Sequence, residues 1–217
     1  AALVQEELRL SGIAMAGPGN MPLAETTAGR ILLGLARLVG SDLPRNEVIA
    51  WLTSCPVKAP EAHRLTFHPS NWDAISRKAG VVKGLYQWEQ RLGQYAEDME
   101  RLAEEGVRLG DVPEARTARM KSEADATRAL LDFVTGLTDR LKAPPDGSGW
   151  PDFTGWAQNL LTAYLDQTTA NSREVEEAAL RRVEDTLQEM RALDEVEAGP
   201  SFEGFRLALE EALATTS

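Results

Sequence analysis

Apolar residues recur at helical spacing along nearly the whole chain, and alternation with period two is absent over any useful length. Leu3, Val4, Leu8 and Leu10 form a short stripe closed by Ser11-Gly12, and the apolar run Ile13 to Ala16 predicts one short strand. Pro22 suits the first turn of a helix, where its missing N–H is harmless, and Ala28, Ile31, Leu32, Leu35, Leu38 and Val39 share one face after it. Gly40-Ser41-Asp42 ends that helix. Pro44 opens a shorter one carrying Val48, Ile49, Trp51 and Leu52, which Cys55-Pro56 closes. Val57 to Ser70 has no clean period and predicts an ordered loop. Asn71 then predicts the cap of a helix with Trp72, Ile75 and Ala79, interrupted by Gly80 and Gly84.

The clearest periodicity follows. Leu85, Trp88, Leu92, Tyr95, Met99 and Leu102 alternate steps of three and four, a seam too short for a free-standing coiled coil. Its predicted partner is the helix Glu114 to Leu141, whose face carries Met120, Ala124, Thr127, Leu131, Val134, Leu137 and Leu141. With Gly106 to Pro113 as the connection, the two form an antiparallel hairpin. The turn-rich linker Ala143 to Pro151 leads to a helix marked by Phe153, Trp156, Leu160, Leu161 and Tyr164. After the cap Asn171-Ser172, Val175, Ala179, Val183, Leu187, Met190 and Leu193 mark another. Ala198-Gly199-Pro200-Ser201 breaks the chain before Phe202, Phe205, Leu209 and Leu213. The predicted class is all-α, with about seven to nine helices and at most one short strand near the N-terminus.

Composition narrows the function. The 217 residues, 43% apolar and 26% charged, have the character of a globular chain with room for a substantial core. A net charge of −11 repels phosphate on average, so any DNA contact needs a local basic patch. One cysteine excludes an internal disulfide and fits a reducing cytoplasm, while two histidines without a second cysteine give no zinc pattern. No apolar run is long enough to cross a membrane, so no membrane partner is expected.

The stretch AGPGNMPLAETTAGR, Ala16 to Arg30, has glycines but not the chemistry of a phosphate loop. Asn20-Met21-Pro22-Leu23 stands where a Walker loop places its lysine and its magnesium-binding hydroxyl. His63, His68 and Glu61 share a loop at a spacing that matches no common metal site. Cys55 has no nearby cation and is expected to be a buried thiol. The acidic runs Glu97-Asp98, Glu104-Glu105, Glu174 to Glu177 and Glu184-Asp185 alternate with Arg and Lys, as solvated helix faces do. Basic residues gather at Arg116, Arg119 and Lys121, at Arg181-Arg182, and at Arg77, Lys78 and Lys83. The last group lies among Trp72, Tyr86 and Trp88, a mixture that single-stranded nucleic acid uses, although Trp72 and Trp88 fall on apolar stripes. Arg77, Lys78 and Lys83 are therefore the candidate DNA contacts.

The segment LVQEELRLSGIAMAGPGNMPLAETTAGRILLGLARLV resembles a stretch of UvrD/Rep-like superfamily one helicases and of AddB-type helicase-nucleases. In those families a helix ends at glycine, a short strand and a glycine turn follow, and a "pL.eT..gr.ll.ll.L" helix comes next. Leu8 to Ile13, Ala14 to Gly19 and Pro22-Leu23-Ala24-Glu25-Thr26 through Leu38 match those pieces in order. PRNEVIAWLTSCPV, Pro44 to Val57, is similar to the next helix of the family. SNWDAISRKAGVVKGLYQWEQRL is similar to actinobacterial relatives with a C-terminal PD-(D/E)XK nuclease domain.

The resemblance implies that residues 1–21 are a remnant of the second motor domain and residues 22–217 a helical insertion domain. It implies a non-catalytic accessory domain of an ATP-dependent DNA helicase and exonuclease of double-strand-break repair and recombination. ATP and magnesium belong to the full-length parent. The partners implied are the motor and nuclease domains of the same polypeptide, DNA, and a second helicase-nuclease subunit. No catalytic residue of the family maps onto this chain. The opening AALVQEELRL, which reads as the tail of a helix, agrees with a fragment of something longer. The alternative, to which the net charge points, is a free-standing acidic helical interaction module without a DNA role.

Overall fold

The computed structural model describes residues 21–59, 67–109, 113–166, 173–196 and 199–216. Among them the chain is all-α, with eight α-helices and, in place of any strand, a single antiparallel bridge between Val57 and Leu165. The helix expected at Leu3 to Leu10, the strand at Ile13 to Ala16, the glycine turn after it and the cap at Asn171-Ser172 lie outside the described residues.

The first helix, α1 (Thr27–Leu38), does not start at Pro22. Pro22 leads into a single 3-10 turn, Leu23–Glu25, after which the chain restarts at Thr26. The Thr26 hydroxyl explains the restart, because it accepts the Gly29 N–H at 3.2 Å and donates to the Leu23 carbonyl at 2.6 Å. The apolar stripe makes α1 the central helix. It buries Ile31, Leu32 and Leu35 completely and packs against α2 (Arg45–Ser54), α6 (Trp150–Tyr164), α7 (Arg173–Met190) and α8 (Phe202–Thr215). Gly34 lets α2 come close: a Cβ there would overlap the Trp51 indole edge.

Between α2 and the long helices lies α3 (Pro69–Lys78). It begins two residues before Asn71, because Pro69 fits the first turn and His68 already has an extended backbone. The hairpin follows as α4 (Leu85–Leu109) and α5 (Glu114–Arg140), the most extensive helix pair in the structure. Gly106 does not break α4; it is buried within it. Trp150 and Pro151, read as linker, form the first turn of α6, where the Asp194 carboxylate accepts the Trp150 N–H at 2.9 Å.

The seam of the hairpin is rotated from the heptad reading. Trp88, Leu92, Ala96, Ala103 and Gly106 are buried along α4, whereas Tyr95 and Met99 are half-buried and Leu102 is 41% exposed. These buried positions form one arc of the helix, with Tyr95 and Leu102 at its edge. Small residues accompany the shift: Ala103 and Gly106 on α4 and Thr117 and Ala124 on α5 are buried, whereas the larger Leu102 lies at the edge.

Helix α5 is buried on two sides. Besides the predicted Ala124, Thr127, Val134 and Leu137, it buries Ala126, Ala129, Leu130 and Phe133 toward the body. The Phe133 ring meets Trp51 of α2, Trp72 of α3, Tyr164 of α6 and Phe67, with centroids 6.3, 5.2, 5.9 and 5.9 Å away. A second aromatic group joins α6 to α8, with Phe153 stacked on Phe205 at 5.1 Å and Trp156 edge-on to Phe202 at 5.8 Å. Val175 and Leu193, assigned to the buried stripe of α7, are 42% and 37% exposed, Leu193 because it falls in the 3-10 turn Arg191–Glu195.

Phe133→Ala should cost about 3–5 kcal/mol by chemical denaturation, and Leu131→Ala, half-buried on the same helix, distinctly less. Equal losses would deny Phe133 its central place. Gly→Ala within a helix ordinarily stabilises by up to about 1 kcal/mol, but Gly34→Ala should destabilise by about 1–3 kcal/mol, read from the same denaturation curves.

Candidate functional site

The three candidate DNA contacts sit around the C-terminal end of α3, and each faces a different carboxylate. Arg77 pairs with Asp73 one turn earlier on its own helix. Asp73 also accepts the Arg45 guanidinium at 2.6 Å, and these two cations, Arg45 first, hold its carboxyl below its ordinary value despite partial burial. Lys78 reaches across to α5, where its Nζ lies 2.6 Å from Glu123 Oε1. Lys83 lies in the loop between Gly80 and Gly84, both at positive φ, with its Nζ 3.7 Å from Asp42. The three positive charges therefore serve three separate links rather than one surface.

The aromatics around them divide as their stripes imply. Trp72 and Trp88 are fully buried. The Trp88 indole N–H donates to the Leu43 carbonyl at 3.0 Å, fastening α4 to a loop in which Asp42 and Leu43 both adopt left-handed backbone. Only Tyr86 of the group offers an open ring, at 73% exposure.

A different set of cations does share a surface. Lys78 from α3, Tyr95 and Met99 from α4, and Arg116, Arg119, Met120 and Glu123 from α5 line one groove of about 520 Å³. Arg116 and Arg119 were visible in the sequence as a separate basic group; the hairpin brings them beside Lys78. Both are exposed and have no ion pair among the described residues. At the groove's floor Glu123 Oε1 accepts from Lys78 and from the Tyr95 hydroxyl, each at 2.6 Å. Burial opposes the Glu123 charge, but the hydrogen bonds from Lys78 and Tyr95 and the Lys78 charge outweigh it and hold its carboxyl below the ordinary 4.5. Burial and the same carboxylate push the Tyr95 phenol well up, so Tyr95 stays a neutral donor.

A second groove, of about 510 Å³, lies between α1 and α2, with Arg30, Arg37 and Glu47 above Gly34 and Trp51. The Trp51 indole nitrogen is buried without a hydrogen-bond partner among the described residues. Of the loop that suggested a metal, His68 precedes Pro69, while His63 and Glu61 lie outside the described residues. Among the described residues no three His, Cys, Asp or Glu side chains form a metal-binding group. Cys55 is buried, as expected, with its sulfur 3.5 Å from the Ser54 hydroxyl. No helix of the described residues is long and apolar enough to cross a membrane.

The lowered Glu123 pKa has a signed consequence. The ionised carboxylate stabilises the fold above its ordinary pKa, and that contribution is lost as pH falls through the lowered value. Glu123→Gln should lower Tm at pH 7 by about 2–4 °C, with the difference from the parent closing as pH falls well below the ordinary 4.5. A gap of equal size at neutral and at acid pH would show that the charge contributes nothing.

No family model matches the chain, and neither a curated protein nor a solved structure matches it.

Proposed function

We propose that the chain is a helical accessory domain inserted into an ATP-dependent DNA helicase and exonuclease, where it braces the motor without catalysing a step itself. One observation carries this reading beyond the motif order: the Leu23 N–H donates to the Thr216 carbonyl at 2.9 Å. The 3-10 turn Leu23–Glu25 packs on α8 there, so residues nearly two hundred positions apart meet. A host chain can leave and resume its own fold across such a junction with little displacement. ATP and magnesium, in this reading, act in the motor, and the partners are the motor and nuclease domains and a second helicase-nuclease subunit. The work is that of DNA double-strand-break repair and recombination in the cytoplasm.

Bracing draws support from the buried aromatic joint at Phe133 and the Trp88 hydrogen bond to Leu43, which tie the hairpin to the body. Direct DNA contact through Arg77, Lys78 and Lys83 would require phosphates to compete with Asp73, Glu123 and Asp42 for those cations. That pairing, with the net charge of −11, favours a second reading, an acidic interaction module that never meets DNA.

The reading frame around the encoding segment tests the first reading: RecA-like motor motifs are expected upstream, and a return segment with nuclease residues downstream. A frame without them overturns it. Fluorescence anisotropy with labelled forked and single-stranded DNA at low salt tests the contact. Salt-dependent binding weakened about tenfold or more by the combined Arg77→Ala, Lys78→Ala and Lys83→Ala substitutions would add direct DNA contact to the first reading. A flat titration leaves a bracing role or the second reading.

A further inference from the structure

We propose that the groove between α4 and α5 is a docking site for an acidic amphipathic helix of a partner protein, which would pack as a third helix against the hairpin. This rests on the groove itself and holds whether or not the chain belongs to a helicase.

Three observations lead there. The apolar stripe of α4 is only partly covered: Ala96, Ala103 and Gly106 are buried, while Tyr95 and Met99 are half-buried and Leu102 is exposed at its edge. Met99 and Met120 face the groove from opposite helices, and flexible thioethers adapt to the aliphatic side chains of an incoming helix. The rim is cationic on an acidic chain, with Lys78, Arg116 and Arg119 against the single carboxylate of Glu123. That sign selects a helix with carboxylates beside its apolar stripe and rejects a basic one.

Nucleic acid fits these features less well. The Tyr95 ring is half-buried and its hydroxyl is committed to Glu123, so the groove has no open aromatic face on which a base could stack. A long polyanion also meets the field of the whole chain, whereas a helix presenting two or three carboxylates meets chiefly the rim.

The probe is a fluorescein-labelled peptide of Ala, Leu and Glu, about 18 residues long with Leu at helical spacing, compared with a counterpart carrying Lys in place of Glu. The Glu peptide should bind one-to-one and shift the Met99 and Met120 methyl resonances; the Lys peptide should bind about tenfold more weakly or worse. The double variant Arg116→Glu, Arg119→Glu should reverse that preference. Both side chains are exposed, and an unchanged circular dichroism spectrum verifies the fold. An oligothymidylate of similar length should not displace the peptide. The proposal is overturned if the Glu peptide fails to bind at about millimolar concentration, if the two peptides bind alike, or if the preference survives the double variant. It is also overturned if the methyl signals stay still, or if oligothymidylate displaces the peptide, which would make the groove a nucleic-acid site.

Discussion

The arrangement of this molecule depends on the burial of one phenylalanine ring. Phe133 lies on the side of α5 turned away from α4, and Trp51, Trp72, Tyr164 and Phe67 converge on it from two helices of the first half, one of the second, and the loop before α3. Aromatic rings bury large areas in fixed, offset geometries, so a hub of five rings sets angles as well as distances. Without it, the hairpin would be joined to the helical body mainly by α3 and by the Trp88 bond to the Leu43 carbonyl. Tyr164 marks how dry the hub is: burial pushes its phenol up to about 12 although the Arg140 guanidinium, 5.9 Å from the ring centroid, pulls the other way.

With the hub fixed, the charged groups fall into two kinds. Most cations near the hairpin act as ties. Lys78 spans from α3 to α5, Arg128 from α5 to Glu100 on α4, and Arg45 from α2 to Asp73 on α3. An exposed pair such as Arg128–Glu100 contributes little to stability by itself, but all three ties consume positive charge that a phosphate would need. Arg116 and Arg119, near the free end of the hairpin, are not consumed in this way. Local neutralisation of the α3 cations and local excess at the hairpin groove therefore coexist in a chain of net charge −11, and the average charge says little about either place.

Helix existence and type were legible along the chain. Apolar positions at helical spacing marked all eight helices of the described residues, and the connection read at Gly106 to Pro113 predicted the hairpin, although the first of its helices runs on to Leu109. Boundaries were less legible where two signals competed. Pro22 suggested a helix start, but the Thr26 hydroxyl offered the better cap and moved the start to Thr27. The heptad seam erred because spacing alone cannot tell which edge of a stripe a partner covers. The candidate site was half legible: Arg77, Lys78 and Lys83 stood out as a cluster, and so did Arg116 and Arg119. Proximity in sequence grouped them by neighbour, whereas the fold regrouped Lys78 with residues nearly forty positions away.

The sequence by itself determined the class, since period 3.6 without period two leaves only helices to bury the apolar residues, and it determined the excess of negative charge. Only the tertiary structure decided that Phe133 faces the body and that Leu102 faces water. It likewise decided that Lys78, Arg116 and Arg119 share a rim and that Leu23 meets Thr216. Each of these depends on how closely two helices approach and at what rotation. Gly34 against Trp51 is one such close approach, and no pattern of apolar and polar letters encodes it.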